Sequence, residues 1–463
     1  MRFVNHKTMG KTLFITLFTS FGLFAQYPGN QQKPAENINY ATISIKKQAT
    51  KPPLGWNSWD VFGCDVTEAE VKAQADYMAK NLLPLGYNII TIDIAWYSPD
   101  ATAVHEKYKD PKPNQLIDAY GRLIPDPKKF PSGLKGLADY LHSKGLKLGI
   151  HVMRGMPWQA IEQNTPILGT NYKAKDIFKH EDRCVFYDGL YSVDMSKPGA
   201  QEYYNSVLKL YAEWGIDFIK ADDMTSYPQH YAEVKAFRYA LEQSGRPMVL
   251  SLSPGSISFF DRSYAQYYAD MFRITADFWD EWKPLKNAFG TAALWSKYTG
   301  PGGWADLDMI PLGKINIRGE NGTGERMSRF TKDEQYTLMT LWSIFRSPLI
   351  LGMDMTQLDE FTKSLITNRD MLNINQNSVK NRVVSFKDEK TVWAAESADG
   401  KEKYIALFNL SDKPETVAVV LNELGINTEV EVFDIWEGKN AGKKSNEISA
   451  TLAPHACKYF KIK

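Results

Sequence analysis

Cysteine and histidine are scarce in this 463-residue chain. Its three cysteines, Cys64, Cys184 and Cys457, permit one disulfide at most, and their scatter suggests no metal site. The seven histidines include no H-x-H or H-E-x-x-H spacing, which leaves no histidine-built metal motif. No G-x-G-x-x-G fingerprint opens a helix after the first strand-like run, and this weakens a dinucleotide-binding reading. Charge of one sign is also missing. With 55 basic and 54 acidic residues the formal net charge is +1, so nucleic acid or an anionic surface has no claim as a partner. Beyond the first 25 residues no apolar run is long enough to span a bilayer, so no integral membrane protein is expected. No cofactor and no metal is expected either, and the oligomeric state stays open.

What is present begins with an export signature. Lys7 and Lys11 precede the apolar run TLFITLFTSFGLFA, which ends at Ala25. It is too short to cross a bilayer comfortably and sits where a cleaved signal peptide belongs. Residues 1–25 therefore read as a signal peptide, and a secreted or periplasmic location is expected. Residues 26–50 are polar and lack sustained periodicity, as a linker does.

From residue 51 to 377 short apolar runs alternate with amphipathic helical stretches. The runs include YNIITIDIAW (87–96), LKLGIHVM (146–153), DFIKADD (217–223), PMVLSLS (247–253) and YADMFRITAD (268–277), with another around SPLILGM (347–353). Between them lie helix patterns such as LKGLADYLHSKG (134–145) and AQEYYNSVLKLYAEWG (200–215). Such alternation calls for a parallel sheet, and about eight candidate strands over this length predict a (β/α)8 TIM barrel. Near 378 the texture changes to short alternating segments separated by Gly, Asp, Asn and Lys. Residues 378–463 are thus expected to form a C-terminal antiparallel β-sandwich.

Strand parity then locates chemistry. Side chains alternate along a strand, and in a barrel one set faces the axis. In FIKADD, Lys220 and Asp222 share the inward set at the strand's C-terminal end, where barrel enzymes keep their sites. Asp223 falls on the other parity and reads as a loop or helix-cap residue. The same reasoning groups Arg273, Thr275 and Asp277 in FRITAD, and Trp304, Asp306 and Asp308 in GGWADLDM. In TIDIAW it groups Thr91 with Asp93, and sets Ile90, Ile92 and Ile94 opposite. Four strand ends thereby send Asp93, Asp222, Asp277 and Asp308 to one mouth, with Lys220 and Arg273 to balance charge. Paired carboxylates without a metal cluster fit glycoside hydrolysis on an oligosaccharide or polysaccharide substrate.

PPLGWNSWDVFGC (52–64), TIDIAWY (91–97), FIKADD (218–223), FRITAD (272–277), GPGGWADLDM (300–309) and SPLILGMD (347–354) together resemble glycoside hydrolase family 27, the α-galactosidase and α-N-acetylgalactosaminidase family. The resemblance runs from about residue 52 to the C-terminus, with the motifs in the family's order. It implies a barrel followed by an antiparallel β domain, with retention of configuration through a covalent glycosyl-enzyme. Position by position, it implies that Asp222 is the nucleophile and Asp277 the general acid/base. Lys220 and Asp93 would bind sugar hydroxyls, Trp56 would form part of the sugar platform, and Arg273, Asp308 and Met309 would complete the site. Two acids usually read the 4- and 6-hydroxyls of galactose at the strand-2 motif; here Asp93 remains and Ile94 follows it. His151 stands in place of a common tyrosine, and Ser253 in place of a frequent glutamate near the 2-substituent. The family's disulfide partners near strand 2 and after the nucleophile appear as Ala95 and Met224, so those bridges are absent. A secreted retaining exo-glycosidase acting on α-galactosides or a related sugar is the leading expectation. A β-L-arabinopyranosidase and a catalytically silent carbohydrate-binding protein are the alternatives.

Overall fold

The computed structural model describes residues 45–101, 113–184, 189–225, 230–253, 255–318 and 324–463. The expected signal peptide and residues 26–44 of the expected linker lie outside the described residues. Eight parallel strands form one sheet: β1 (Leu54–Asn57), β2 (Ile89–Ile92), β3 (Lys147–Met153), β4 (Phe218–Asp222), β5 (Val249–Leu252), β6 (Met271–Arg273), β7 (Trp304–Asp306) and β8 (Leu349–Leu351). They neighbour one another in chain order, except that β8 pairs with β1. The sheet closes just beyond β7, where Ile310 bridges Leu351 and the Ile310 N–H donates to the Ile350 carbonyl. This is the expected α/β barrel.

Local chemistry fixes the helices around it. The helix Glu68–Asn81 starts at a capping box in which the Thr67 hydroxyl accepts from the Glu70 N–H and the Glu70 carboxylate accepts from the Thr67 N–H. Thr331 and Glu334 repeat the device at Lys332–Phe345, a helix buried on nearly all sides between barrel and C-terminal domain. The helix Ala200–Glu213 turns its apolar side inward and is followed by Gly215 at φ +83°, the left-handed position a helix exit favours. No helix among the described residues is long and apolar enough to cross a membrane.

Two features differ from the sequence reading. Residues 45–50, the end of the expected linker, pack on the N-terminal end of the barrel. Ala49 is buried with Ile89, Phe218, Val249, Met271 and Trp304, and its carbonyl accepts from the Trp304 indole at 2.8 Å. An apolar plug covering a barrel's open end holds these residues in place, whatever their lack of periodicity. A small sheet of Met156–Pro157, Phe178–Arg183 and Leu190–Val193 also stands between β3 and the helix Ala200–Glu213, built partly from the charged run FKHEDR that no strand pattern marks.

The last barrel helix, Arg369–Asn377, leads into an antiparallel sandwich that starts at Val379. Six strands pair in one sheet, and Glu415–Val420 with Glu447–Leu452 form a second; their inner faces bury Val392, Ile405, Leu407, Val417, Val419 and Ile448 among others. Ser343 and Thr340 on the helix Lys332–Phe345 meet Tyr459 and Trp436 of this domain.

Candidate active site

The strand ends converge on a pocket of about 310 Å³ at the C-terminal mouth of the barrel. Asp93, His151, Lys220, Asp222, Ser253, Arg273, Asp277, Asp308 and Met309 all line it. Trp56 does not, and here the sequence reading needs correction. Trp56 lies within the β1 ladder, paired with Leu351 and Ile90, and is fully buried with its indole N–H donating to the Met353 carbonyl at 2.7 Å. The tryptophan of that motif that lines the pocket is Trp59, three residues on, at the start of the short helix Trp59–Phe62; Trp279, in the loop after β6, lines it as well. Because the ladder has ended, strand parity no longer governs where its side chain goes.

Asp222 is the last residue of β4 and is buried. The neighbouring strand presents His151, in register with Lys220, so that His151 Nε2 sits 2.8 Å from Asp222 Oδ2. Burial alone would raise the Asp222 pKa. The charges of Lys220 and His151 and the hydrogen bonds of His151 and Ser253 outweigh it and hold the carboxyl well below the usual range. Lys220 Nζ donates to Asp93 Oδ2 at 2.8 Å, and Asn57 Nδ2 donates to the same oxygen at 2.8 Å. Burial would raise Asp93 as well, but Lys220 and His151 keep it below its ordinary value. This half of the pocket is a fixed array of ionised carboxylates around one lysine.

The other half is organised by Arg273, the last residue of β6. Its Nη1 pairs with Asp308 Oδ1 at 2.8 Å, and its Nη2 reaches Asp277 Oδ1 at 3.1 Å. Asp308 adopts φ +88° and accepts the Phe278 N–H at 2.8 Å, which ties the loop carrying Asp277 to the end of β7. Asp277 itself is 69 % exposed at the rim, reachable by both solvent and a ligand. Burial pushes Asp306 up to about 7, helped by the Asp308 charge.

Two placements were not anticipated. Ile94 was set opposite Asp93 by parity, yet β2 ends at Ile92, and the turn beyond, with Ala95 at φ +70°, brings Ile94 onto the pocket wall beside Asp93. Asp60 also lines the pocket and carried no expectation at all. Asp223 lies in the turn after β4, as the loop reading expected, but it caps no described helix. It is buried at φ +61° and its Oδ2 accepts from Arg154 Nη2 at 2.7 Å and Nε at 3.0 Å. Arg154 also donates to Glu233 at 2.9 Å, and its backbone N–H donates to the Asp222 carbonyl at 3.0 Å. Asp182, His230 and Glu233 bring one ligand atom each within 4.8 Å of one another, but the Arg154 guanidinium already binds two of the three. That cluster is an ion-pair network that braces the turn after Asp222.

A parallel barrel with an acid-rich mouth and an antiparallel sandwich behind it is the build of a glycoside hydrolase, and the comparisons agree. The family model described as Alpha galactosidase A matches residues 51–194 and 169–377, and the Alpha galactosidase C-terminal beta sandwich domain matches 387–462. The chain belongs to glycoside hydrolase family 27. It is 30% identical to an alpha-galactosidase of Cyamopsis tetragonoloba over 88% of this chain and 85% of that one. Among solved structures it resembles a GH27 β-L-arabinopyranosidase of Geobacillus stearothermophilus (44% identity, TM-score 0.87, covering 90% of this chain and 97% of that one). It also resembles a putative alpha-N-acetylgalactosaminidase of Bacillus halodurans (41% identity, TM-score 0.80, covering 90% and 99%).

Proposed function

We propose that the chain is an exported, retaining exo-glycosidase whose preferred glycone is β-L-arabinopyranose. Asp222, ionised by Lys220 and His151, attacks the anomeric carbon to form a covalent glycosyl-enzyme. Asp277, on the rim where an aglycone would leave, protonates the departing oxygen and then activates the water that releases the sugar. Lys220 and Asp93 bind sugar hydroxyls on one side, and Arg273 with Asp308 closes the other. The small volume of the pocket, at the low end of ligand sites, suits one terminal ring rather than a bound chain. Export rests on the apolar N-terminal run.

The observation that carries the glycone is Ile94, buried on the pocket wall beside Asp93. β-L-Arabinopyranose is α-D-galactopyranose without the hydroxymethyl group. An apolar wall packs against its bare ring methylene, whereas a galactoside's O6 would be buried there with no acceptor from that side chain, which is costly. The 44% identity to a β-L-arabinopyranosidase points the same way. The test is kcat/KM on p-nitrophenyl β-L-arabinopyranoside and α-D-galactopyranoside side by side. An arabinoside preference of at least tenfold is expected. A galactoside preference would return the chain to α-galactosidase activity, and sugar binding without turnover of any aryl glycoside would make it a binding protein.

A further inference from the structure

We propose that Asp60 is a sugar-binding residue whose carboxyl exchanges hydrogen bonds with a hydroxyl of the pyranose held in the pocket. The inference rests on the glycosidase reading but not on which pyranose is preferred. Asp60 follows Trp59 in the short helix after β1; it is 1% exposed, and what it lines is the pocket. Its Oδ2 has no hydrogen-bond partner among the described residues.

The other buried carboxyls around the pocket each hold a polar partner on at least one oxygen, although Asp222 Oδ1, on the nucleophile, is also open. Asp93 holds Lys220 and Asn57, Asp222 holds His151, and Asp308 holds Arg273 and the Phe278 N–H. The two buried cations, Lys220 and Arg273, pair with Asp93 and Asp308, and the more distant pull of Lys220 on Asp60 does not offset its burial. A buried carboxylate without a partner is costly enough that the group keeps its proton instead. Burial first, and then the negative charge of Asp308, raise its pKa well above the ordinary value. A protonated carboxyl offers one donor and an acceptor, which is the complement of a sugar hydroxyl.

As a packing element Asp60 makes little sense, since an apolar side chain would fill the same space without desolvating a polar group. Yet the fold keeps room for the carboxyl. At Gly352 a Cβ would fall 2.0 Å from Asp60 Oδ2, so only glycine leaves this oxygen its place. A buried acid in a pocket-lining residue, with one oxygen unpartnered and the backbone at Gly352 kept clear of it, is what a ligand-reading group looks like before the ligand arrives.

The experiment titrates wild type, Asp60→Leu and Asp60→Asn calorimetrically with free L-arabinose, and with D-galactose if that is the glycone the wild type hydrolyses faster. Thermal unfolding is recorded without sugar. Asp60→Leu is expected to bind the sugar at least tenfold more weakly and to lose kcat/KM by the same factor or more, while its Tm stays level or rises. Asp60→Asn keeps a donor and an acceptor and should recover most of the affinity. Should Asp60→Leu not fold, Asp60→Ala, which adds no bulk, takes its place. A folded apolar variant with wild-type affinity overturns the proposal. So does a fall in Tm with affinity unchanged, since that is the signature of a structural acid. A galactoside preference in the wild type would refute the glycone reading and leave the expected loss at Asp60 as it stands.

Discussion

Replacing Ile94 with aspartate should move the glycone preference from arabinoside toward galactoside, and the size of the change can be worked out. Ile94 is 5% exposed on the pocket wall, next to Asp93, whose Oδ2 already holds Lys220 Nζ at 2.8 Å. A carboxylate at position 94 gives the hydroxymethyl group of a galactoside an acceptor, and satisfying a buried hydroxyl is worth about 1–3 kcal/mol. The arabinoside gains nothing from it and loses the apolar contact on its ring methylene, about 0.8 kcal/mol. Together these shift the ratio of the two kcat/KM values by roughly 20- to 600-fold, at about tenfold per 1.36 kcal/mol. The new charge is itself poorly paired, because Lys220 is shared with Asp93 and Asp222, so the variant should also lose thermal stability. That loss does not confuse the measurement. Both aryl glycosides are assayed on one preparation, so the fraction of active enzyme cancels in the ratio. A folded Ile94→Asp variant whose ratio moves less than threefold would mean that Ile94 does not face the C5 substituent, and the arabinopyranoside reading would lose its main support.

Four further outcomes are expected. A 2-fluoro glycosyl fluoride of the preferred sugar should label Asp222 within FIKADDM; label on Asp223 would refute the assignment, since the Asp223 carboxylate is turned away to Arg154. Because Asp222 is held below the usual carboxylate range, no acid limb in kcat/KM belonging to it should appear above about pH 4. Asp277→Ala should slow hydrolysis of alkyl glycosides by about 10²–10⁴-fold while sparing the first step on dinitrophenyl glycosides, which need no acid, and azide should restore turnover; equal losses on both substrates would refute the acid/base role. Arg154→Met should cost about 3–5 kcal/mol by leaving Asp223 and Glu233 buried without their cation, and adding Asp223→Asn should recover part of it; a loss below about 1 kcal/mol in urea unfolding would show that the network is not what holds this turn.

How far the sequence could be read depends on where each ladder stops. β4 runs to Asp222, so parity assigned Lys220 and Asp222 to the pocket correctly from FIKADD alone. β2 stops at Ile92, and the residue that parity turned away from the pocket, Ile94, lines it. Trp56 took its role from the family resemblance rather than from parity; β1 holds it in the ladder, and the wall of the pocket falls to Trp59 just beyond Asn57. Period-2 reasoning is therefore sound up to the last hydrogen-bonded residue and uneven beyond it, where it held for Asp93, Asp277 and Asp308 but failed for Ile94, and the mouth of a barrel is built from residues just past that point. Asp223 shows the second limit. Its partner Arg154 is 69 residues away in sequence, in a loop with no periodic signal, so parity could turn Asp223 away from the axis but nothing local could name the cation that receives it. The two aspartates of ADD divide the work because β4 ends between them. The ladder delivers Asp222 to the axis, and the left-handed turn at Asp223 carries its side chain behind the barrel wall, where Arg154 neutralises it and fixes the turn that aims Asp222.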